Sequence, residues 1–307
     1  MTKKAIIIYH RADFDGICSY AIAKEALSWK HMTDPFPYTY GDEAPSAETL
    51  LRYDTVLIAD VCLPADTMRA LFHETQKRKG FEVLWIDHHK SSIWLSVREG
   101  FSLLHGYREY EGKGACELTW NYFHGYNRVP LAIQYLSAYD VHDKERFDWE
   151  REVMRFQYGM RDAYALRAED FANDFQTIAG NEEFLTHMLE NGGRLYRFTR
   201  ENGSRGVSRF GFPVTVAGMY KGLCCLTSQF GSLAFESRMQ AEGYELAVCA
   251  NRIAAGTYTV SIFAPDKCAL DIGRYLADNY GGGGHPGAGG CRVGLDTFIR
   301  LIEEGEI

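Results

Sequence analysis

Ala5-Ile6-Ile7-Ile8-Tyr9-His10-Arg11-Ala12-Asp13-Phe14-Asp15-Gly16 is the stretch that decides the fold. Its first half is apolar and β-branched, the composition of a strand buried on both faces. Its second half abruptly delivers one imidazole and two carboxylates. Residues 16–29 then read as a helix, with Ile17, Tyr20, Ala21, Ala23, Ala26 and Leu27 as its buried stripe. The pattern recurs: a strand at 55–59 (TVLIA), a helix at 66–79 and a strand at 82–86 (EVLWI). Such alternation predicts an α/β protein whose mostly parallel N-terminal sheet is flanked by helices. Open sheets of this kind bind ligands beyond the carboxyl ends of their strands.

All three strands end in chemistry. The first ends in His10, Asp13 and Asp15, the second in Asp60, and the third in Asp87-His88-His89. A fourth group, Tyr139-Asp140-Val141-His142-Asp143, closes the apolar run 131–139. A lone Asp after a strand is usually a turn former or a helix cap. Asp13 and Asp15 could both cap the helix that follows them. The joint pattern resists that explanation, because carboxylates converging in one cleft repel one another. A divalent cation resolves the repulsion, and mixed imidazole and carboxylate donors suit Mn, Co, Zn or Fe. His31, His73, His105, His124 and His187 lie outside every motif and read as ordinary surface or core residues, and His142 is left open.

Composition narrows the function. The 307 residues suit two domains, and 46% hydrophobic against 24% charged residues is the composition of a folded chain. Lys plus Arg number 33 and Asp plus Glu 41, a net charge of −8. A non-specific coat on duplex DNA runs on phosphate neutralisation, and this acidic balance makes the chain a poor candidate for one while leaving room for a local basic groove or a small anionic substrate held by metal. No apolar run approaches the roughly 20 residues of a membrane helix. The Lys3-Lys4 start reads as the entry to a strand instead of a leader. The eight cysteines show no CxxC pair or zinc-ribbon spacing and read as buried free thiols, which predicts a cytoplasmic protein.

From about residue 115 to 202 the pattern is mainly helical. Asn202-Gly203-Ser204-Arg205-Gly206 reads as a turn-rich break, so residues 1–185, a linker 186–205 and a smaller α/β domain 206–307 are expected. In the last of these, strands are expected at 214–219, 246–251 and 258–263, and helices near 233–242, 270–280 and 296–304. Gly281-Gly282-Gly283-Gly284-His285-Pro286-Gly287-Ala288-Gly289-Gly290 reads as a loop whose bare backbone can approach an anion. Gly112-Lys113-Gly114-Ala115 lacks the GxxxxGK[ST] spacing, and a P-loop is rejected.

Taken in order, HRADFDG, Asp60, Asp87-His88-His89, Asp140 and GGGGHPGAGG resemble the DHH phosphoesterase superfamily, in the branch that carries the DHH-associated C-terminal domain. The resemblance runs from about residue 5 to 295. It implies two divalent ions, usually manganese: one on His10, Asp13 and Asp60, the other on Asp15, Asp60, His88 and Asp140, with Asp60 bridging. Asp143 is the alternative to Asp140. His89 would face the scissile phosphate and Asp87 would orient the histidines. Gly282, Gly283, Gly284 and His285 would grip the substrate, with the cleft between the domains as the active site. The branch also implies the reaction: attack of a metal-bound hydroxide on a phosphodiester of a short oligoribonucleotide or a linear or cyclic dinucleotide. Two ions about 3.5–4 Å apart suit that chemistry without a protein nucleophile.

One departure stands out. Many relatives carry an Arg phosphate contact on the strand before the glycine loop, and Val260-Ser261-Ile262-Phe263-Ala264 has none. Arg252 and Lys267 are the candidate replacements. Other readings are a RecJ-like single-strand 5′ exonuclease, a small-anion hydrolase such as a pyrophosphatase, and a silent nucleotide sensor. A monomer or homodimer acting away from membranes and duplex DNA is expected.

Overall fold

The computed structural model describes residues 2–109, 112–125, 128–227, 231–264 and 268–307, with the side chain of His285 left out. Lys267 therefore lies outside the described residues. The chain divides into two compact units, Met1–Leu195 and Tyr196–Ile307.

The first unit is built on β1 (Lys3–His10), α1 (Phe14–Ser28), β2 (His31–Tyr38), α2 (Ala47–Leu50), β3 (Thr55–Ala59), α3 (Ala65–Lys77), β4 (Glu82–Ile86) and α4 (Lys90–Arg98). All four strands are parallel, in the order β2-β1-β3-β4. Alternate residues of β1 serve opposite cores. Ala5, Ile7 and Tyr9 join the cluster that holds Ile17, Tyr20 and Ala21 of α1, while Ile6 and Ile8 join Met68 and Leu71 of α3. Burial on both faces is the reason the strand is apolar without interruption. Because α1 and α3 cover opposite faces, the winding reverses between neighbouring strands β1 and β3. Their carboxyl ends, His10 and Ala59-Asp60, border the crevice where open α/β sheets place their ligands.

Sequence reasoning missed β2, because its HMTDPFPY carries two prolines. The strand lies at the sheet edge, and Pro35 and Pro37 pair in register with Ile7 and Tyr9 of β1. Residues two apart on a strand point their N–H groups the same way, so both missing donors fall on the outer side.

The remainder of this unit is helical, as expected: α5 (Ala115–His124), α6 (Leu131–Asp140), α7 (Met154–Tyr164), α8 (Ala168–Asn173), α9 (Phe175–Gly180) and α10 (Glu182–Phe210). The expected break at Asn202-Gly203-Ser204-Arg205-Gly206 does not exist, since α10 runs through it unbroken. Burial of Val207 at the end of that segment, against Leu223 and Phe235, supplies a packing term that turn propensity ignores. Glycines in α10 also serve packing. A methyl on Gly192 would come within 1.7 Å of the Arg155 carbonyl oxygen, so this glycine lets α10 cross α7 at close range.

The second unit adds β5 (Phe212–Val216), β6 (Tyr220–Cys225), α11 (Glu236–Glu242), β7 (Leu246–Ala254), β8 (Thr257–Phe263), α12 (Ile272–Tyr280), β9 (Gly283–His285), β10 (Ala288–Gly294) and α13 (Leu295–Ile299). Its six strands run in the order β5-β6-β7-β8-β10-β9, with only β6 and β7 parallel. The strand expected at 214–219 is cut short. Ala217 (φ +53°) and Gly218 (φ +68°) turn the chain, and β6 pairs back on β5.

The glycine-rich segment is not an open loop. Gly283–His285 pairs with Ala288–Gly290 as the edge hairpin of this sheet. A methyl at Gly282 or Gly284 would strike the backbone carbonyls of Gly290 or Ala288 at 2.4 and 2.3 Å, so two of these glycines are demanded by backbone packing. Arg252, on β7, turns its Nε to the Ala254 carbonyl at 3.2 Å. All eight cysteines are free. Among the described residues, no helix is long and apolar enough to cross a membrane.

Candidate metal centre

His10 is the last residue of β1. Its Nε2 lies 2.9 Å from Thr39 Oγ1, and its Nδ1 lies 2.9 Å from Asp13 Oδ2 and 3.5 Å from Asp60 Oδ2. Thr39 thus pins one side of the ring and turns the other inward, the way an outer partner orients a ligating imidazole. Asp13 has two tasks. Its Oδ1 accepts from Gly16 N–H at 2.9 Å and caps α1, while Oδ2 faces His10. Gly16 is forced: a methyl there would come within 2.1 Å of the His10 carbonyl oxygen.

Asp15 does not cap its own helix. It is buried at the N-terminus of α5, where Ala115 N–H donates to Oδ2 at 2.6 Å and Cys116 N–H to Oδ1 at 2.9 Å. Those are orphan donors of a helix whose N-cap, Gly114, has no side chain to offer. A methyl on Gly114 would lie 2.6 Å from Asp15 Oδ1. Asp15 Oδ2 is 3.8 Å from His88 Nε2.

Asp60 follows β3 with a φ of +61°, a left-handed conformation that costs a non-glycine residue on the order of 1 kcal/mol or more. A hydrogen bond from its N–H to the Ile86 carbonyl, 2.9 Å, holds it there beside the DHH strand. The helix-cap alternative fails for Asp60, because both its oxygens are buried with no hydrogen-bond partner. Instead Oδ2 faces His10, while Oδ1 lies 3.2 Å from His88 Nε2 and 3.8 Å from His89 Nδ1.

His88 Nε2 also reaches Asp140 Oδ2, 3.0 Å away at the end of α6. Asp143 is elsewhere: its Oδ1 accepts from Glu145 and Arg146 N–H, both at 3.2 Å, and closes a turn. His89 Nδ1 lies 2.7 Å from Asp87 Oδ1, which also accepts the His89 backbone N–H at 3.1 Å. Asp87 is fully buried and so fixes the His89 ring. His142 packs its ring 5.3 Å from that of Trp149.

Three groups of donors therefore come within 4.8 Å of one another: His10 with Asp13 and Asp60, Asp15 with His88 and Asp140, and Asp60 with His88 and His89. Electrostatics show the strain of this gathering. Burial, with Asp60 and Asp140 nearby, pushes Asp15 well above the usual carboxylate range, and burial and Asp13 push Asp60 up. Burial depresses the imidazoles, but Asp13 and Asp60 outweigh it and lift His10 to about 10. Asp140 and Asp60 likewise lift His88 to about 12. The cluster holds protons where a cation would serve. His10 Nδ1, His88 Nε2 and both Asp60 oxygens are buried atoms that lack hydrogen-bond partners and converge on shared space, so the residues fit a divalent cation. The predicted substrate group, Gly282 to His285, lies in the second unit, on the edge hairpin.

Sequence reasoning missed the supports. Thr39 gave no signal. The Gly114-Ala115 helix start did: a helix with no capping side chain needs a carboxylate from elsewhere. Beyond it, Gly114 N–H donates to Ser137 Oγ at 2.8 Å, and Ser137 donates to Glu117 at 2.9 Å. Glu117 is buried and accepts both Arg146 Nη1 and Nη2, at 2.7 and 3.1 Å. This staple joins α5, which grips Asp15, to α6, which carries Asp140.

No protein-family model and no curated protein sequence matches the chain. Solved structures do. The DHH domain of a member of the s1p family of ribosomal proteins aligns with a TM-score of 0.63 at 15% identity, over 99% of this chain and 85% of that one. The pGpG-specific phosphodiesterase PggH of Vibrio cholerae aligns at 0.55 and 15% identity, over 98% and 97%. RecJ of Thermus thermophilus, solved with Mn2+, aligns at 0.51 and 14% identity over 99% of this chain, which spans about half of that protein (51%).

Proposed function

We propose that this chain, which has the fold of the DHH phosphoesterases, is a metal-dependent phosphodiesterase acting on short nucleotidic substrates such as short oligoribonucleotides or dinucleotides. The observation that carries the reading is Asp60: its two buried oxygens face different imidazoles, His10 on one side and His88 on the other. In this reading His10, Asp13 and Asp60 hold one divalent ion, and Asp15, Asp60, His88 and Asp140 hold a second, with manganese as the preferred metal. Such ions supply positive charge to a phosphoryl centre and bring the pKa of water from 15.7 toward ~7.

The chain's own residues do the rest. Asp60 holds both halves of the centre in one register, its backbone tied to Ile86. Asp15 is held rigid by two N–H donors of α5. His89, oriented through Nδ1 by Asp87, presents Nε2 to an oxygen of the scissile phosphate. Gly282, Gly283, Gly284 and His285 of the second unit are assigned to substrate contact on the resemblance of this segment, with the Gly282 N–H already donated to the Leu276 carbonyl at 3.0 Å and the contact falling to the residues after it.

The pGpG specificity of PggH supports a dinucleotide substrate, and the net charge of −8 favours a short substrate over a long strand. The test is incubation with Mn2+ and 5′-phosphorylated dinucleotides. Mononucleotide release is expected, with 20-mers and pyrophosphate turned over at least about tenfold more slowly. Absence of product from every dinucleotide, or equal turnover of 20-mers, overturns the assignment.

A further inference from the structure

We propose that Tyr40 is a stacking platform for the nucleobase of the substrate, an inference that rests on the phosphodiesterase reading above and names the residue that recognises the base. Thr39-Tyr40-Gly41-Asp42 forms a tight turn directly after β2. Asp42 N–H donates to the Thr39 carbonyl at 3.0 Å, and Gly41 takes a φ of +99°.

The turn is pinned at three independent points. Thr39 Oγ1 meets His10 Nε2, and Arg11 clamps Asp42 with Nε and Nη2 at 3.0 and 3.1 Å. Cys62 N–H, just past β3, donates to the Tyr40 hydroxyl at 3.1 Å. The phenol is thus held at its far end while the residue stays 53% exposed. Its ring centroid is 6.2 Å from the His10 imidazole and 6.3 Å from the Tyr38 ring, which braces it edge-on.

A large aromatic side chain left in water is ordinary when it is free to move. Here the chain immobilises one beside the donors that would hold a phosphate's cation. An apolar occupant of any kind would need a wider patch than a single ring. A planar base attached to the phosphate that the centre holds needs one fixed π-face at that range, and every base has a face to offer. Sequence tolerance follows, because stacking reads no hydrogen-bond edge.

The test uses the Mn2+-loaded full chain and two probes, 5′-AMP and ribose 5-phosphate, which differ only in the base. Calorimetry is expected to show 5′-AMP binding at least ~10-fold tighter to the wild type, within the range known for base–aromatic stacking. Tyr40→Ala should erase that preference and leave ribose 5-phosphate and Mn2+ binding unchanged. Tyr40→Phe, which keeps the ring, should retain most of it. The proposal is overturned if the wild type shows no preference, if Tyr40→Ala keeps it, or if Tyr40→Ala weakens both probes or the metal alike. Hydrolysis of a dinucleotide is measured separately. A base preference without turnover would remove the enzyme assignment and leave the platform standing.

Discussion

At the residue scale, Asp60 concentrates the conflict between stability and function. It is buried, in a left-handed conformation, and without a hydrogen bond to either carboxylate oxygen. Asp60→Asn should therefore abolish Mn2+-dependent hydrolysis while the metal-free protein keeps its fold, because the loss of a partner for His10 and His88 is offset by relief of the burial and Asp13 repulsion that disfavour this carboxylate. A variant that loses both activity and stability would show that Asp60 is a structural residue. The pH dependence has a definite sign. His10 and His88 have folded pKa values near 10 and 12, above their ordinary 6.5. Groups raised in this way stabilise below the unfolded value, and that stabilisation is lost as pH climbs through the folded one. Raised Asp15 and Asp60 act in the same direction. Metal-free protein should therefore lose unfolding temperature between pH 6.5 and 10, and Mn2+ should flatten the curve. Calorimetric scans with and without metal check this, and a metal-free protein that grows more stable over that range would contradict the proton-sharing cluster.

At the scale of elements, what distinguishes this centre is how helices hold its candidate ligands. The N-terminus of α5 has no capping side chain and takes Asp15 in its place. That bond ties together residues a hundred positions apart. Gly114 is the hinge of the arrangement, with its missing methyl making room for Asp15 Oδ1. Gly114→Ala should displace Asp15, destabilise the protein by ~1–3 kcal/mol as an overpacked core does, and lower Mn2+ affinity at least about tenfold. Titration with Mn2+ at matched folded fraction separates the two effects. Unchanged affinity would remove Asp15 from the ligand set. The Glu117–Arg146 pair and Ser137 carry the same geometry across to α6.

At the scale of the molecule, every candidate ligand lies in the first unit, together with Thr39, Gly114 and the staple between α5 and α6. A fragment of residues 1–210, which keeps the whole of α10, should bind Mn2+ with the stoichiometry and affinity of the full chain, as measured by calorimetry. A folded fragment that binds no metal would show that the centre needs residues from the second unit. That second unit is a separate mixed sheet with its own two cores. Its glycine-rich hairpin is shaped at least in part by backbone packing, and substrate contact by Gly282–His285 stands as a proposal on top of that structural need.

The sequence by itself determined the layered α/β design, because alternation of apolar runs and amphipathic stripes is a local property. It also determined which ends of strands carry acids and imidazoles, since position after a strand is local too. Strand β2 was hidden by Pro35 and Pro37, whose tolerance depends on lying at a sheet edge, and the continuity of α10 was hidden because burial of Val207 is a long-range term. Tertiary structure alone decided that Asp140 and not Asp143 approaches His88, that Asp15 is held by α5, and that Tyr40 is anchored beside His10. Each of those facts is a contact between residues distant in the chain, formed only when the elements pack, and no local pattern records it.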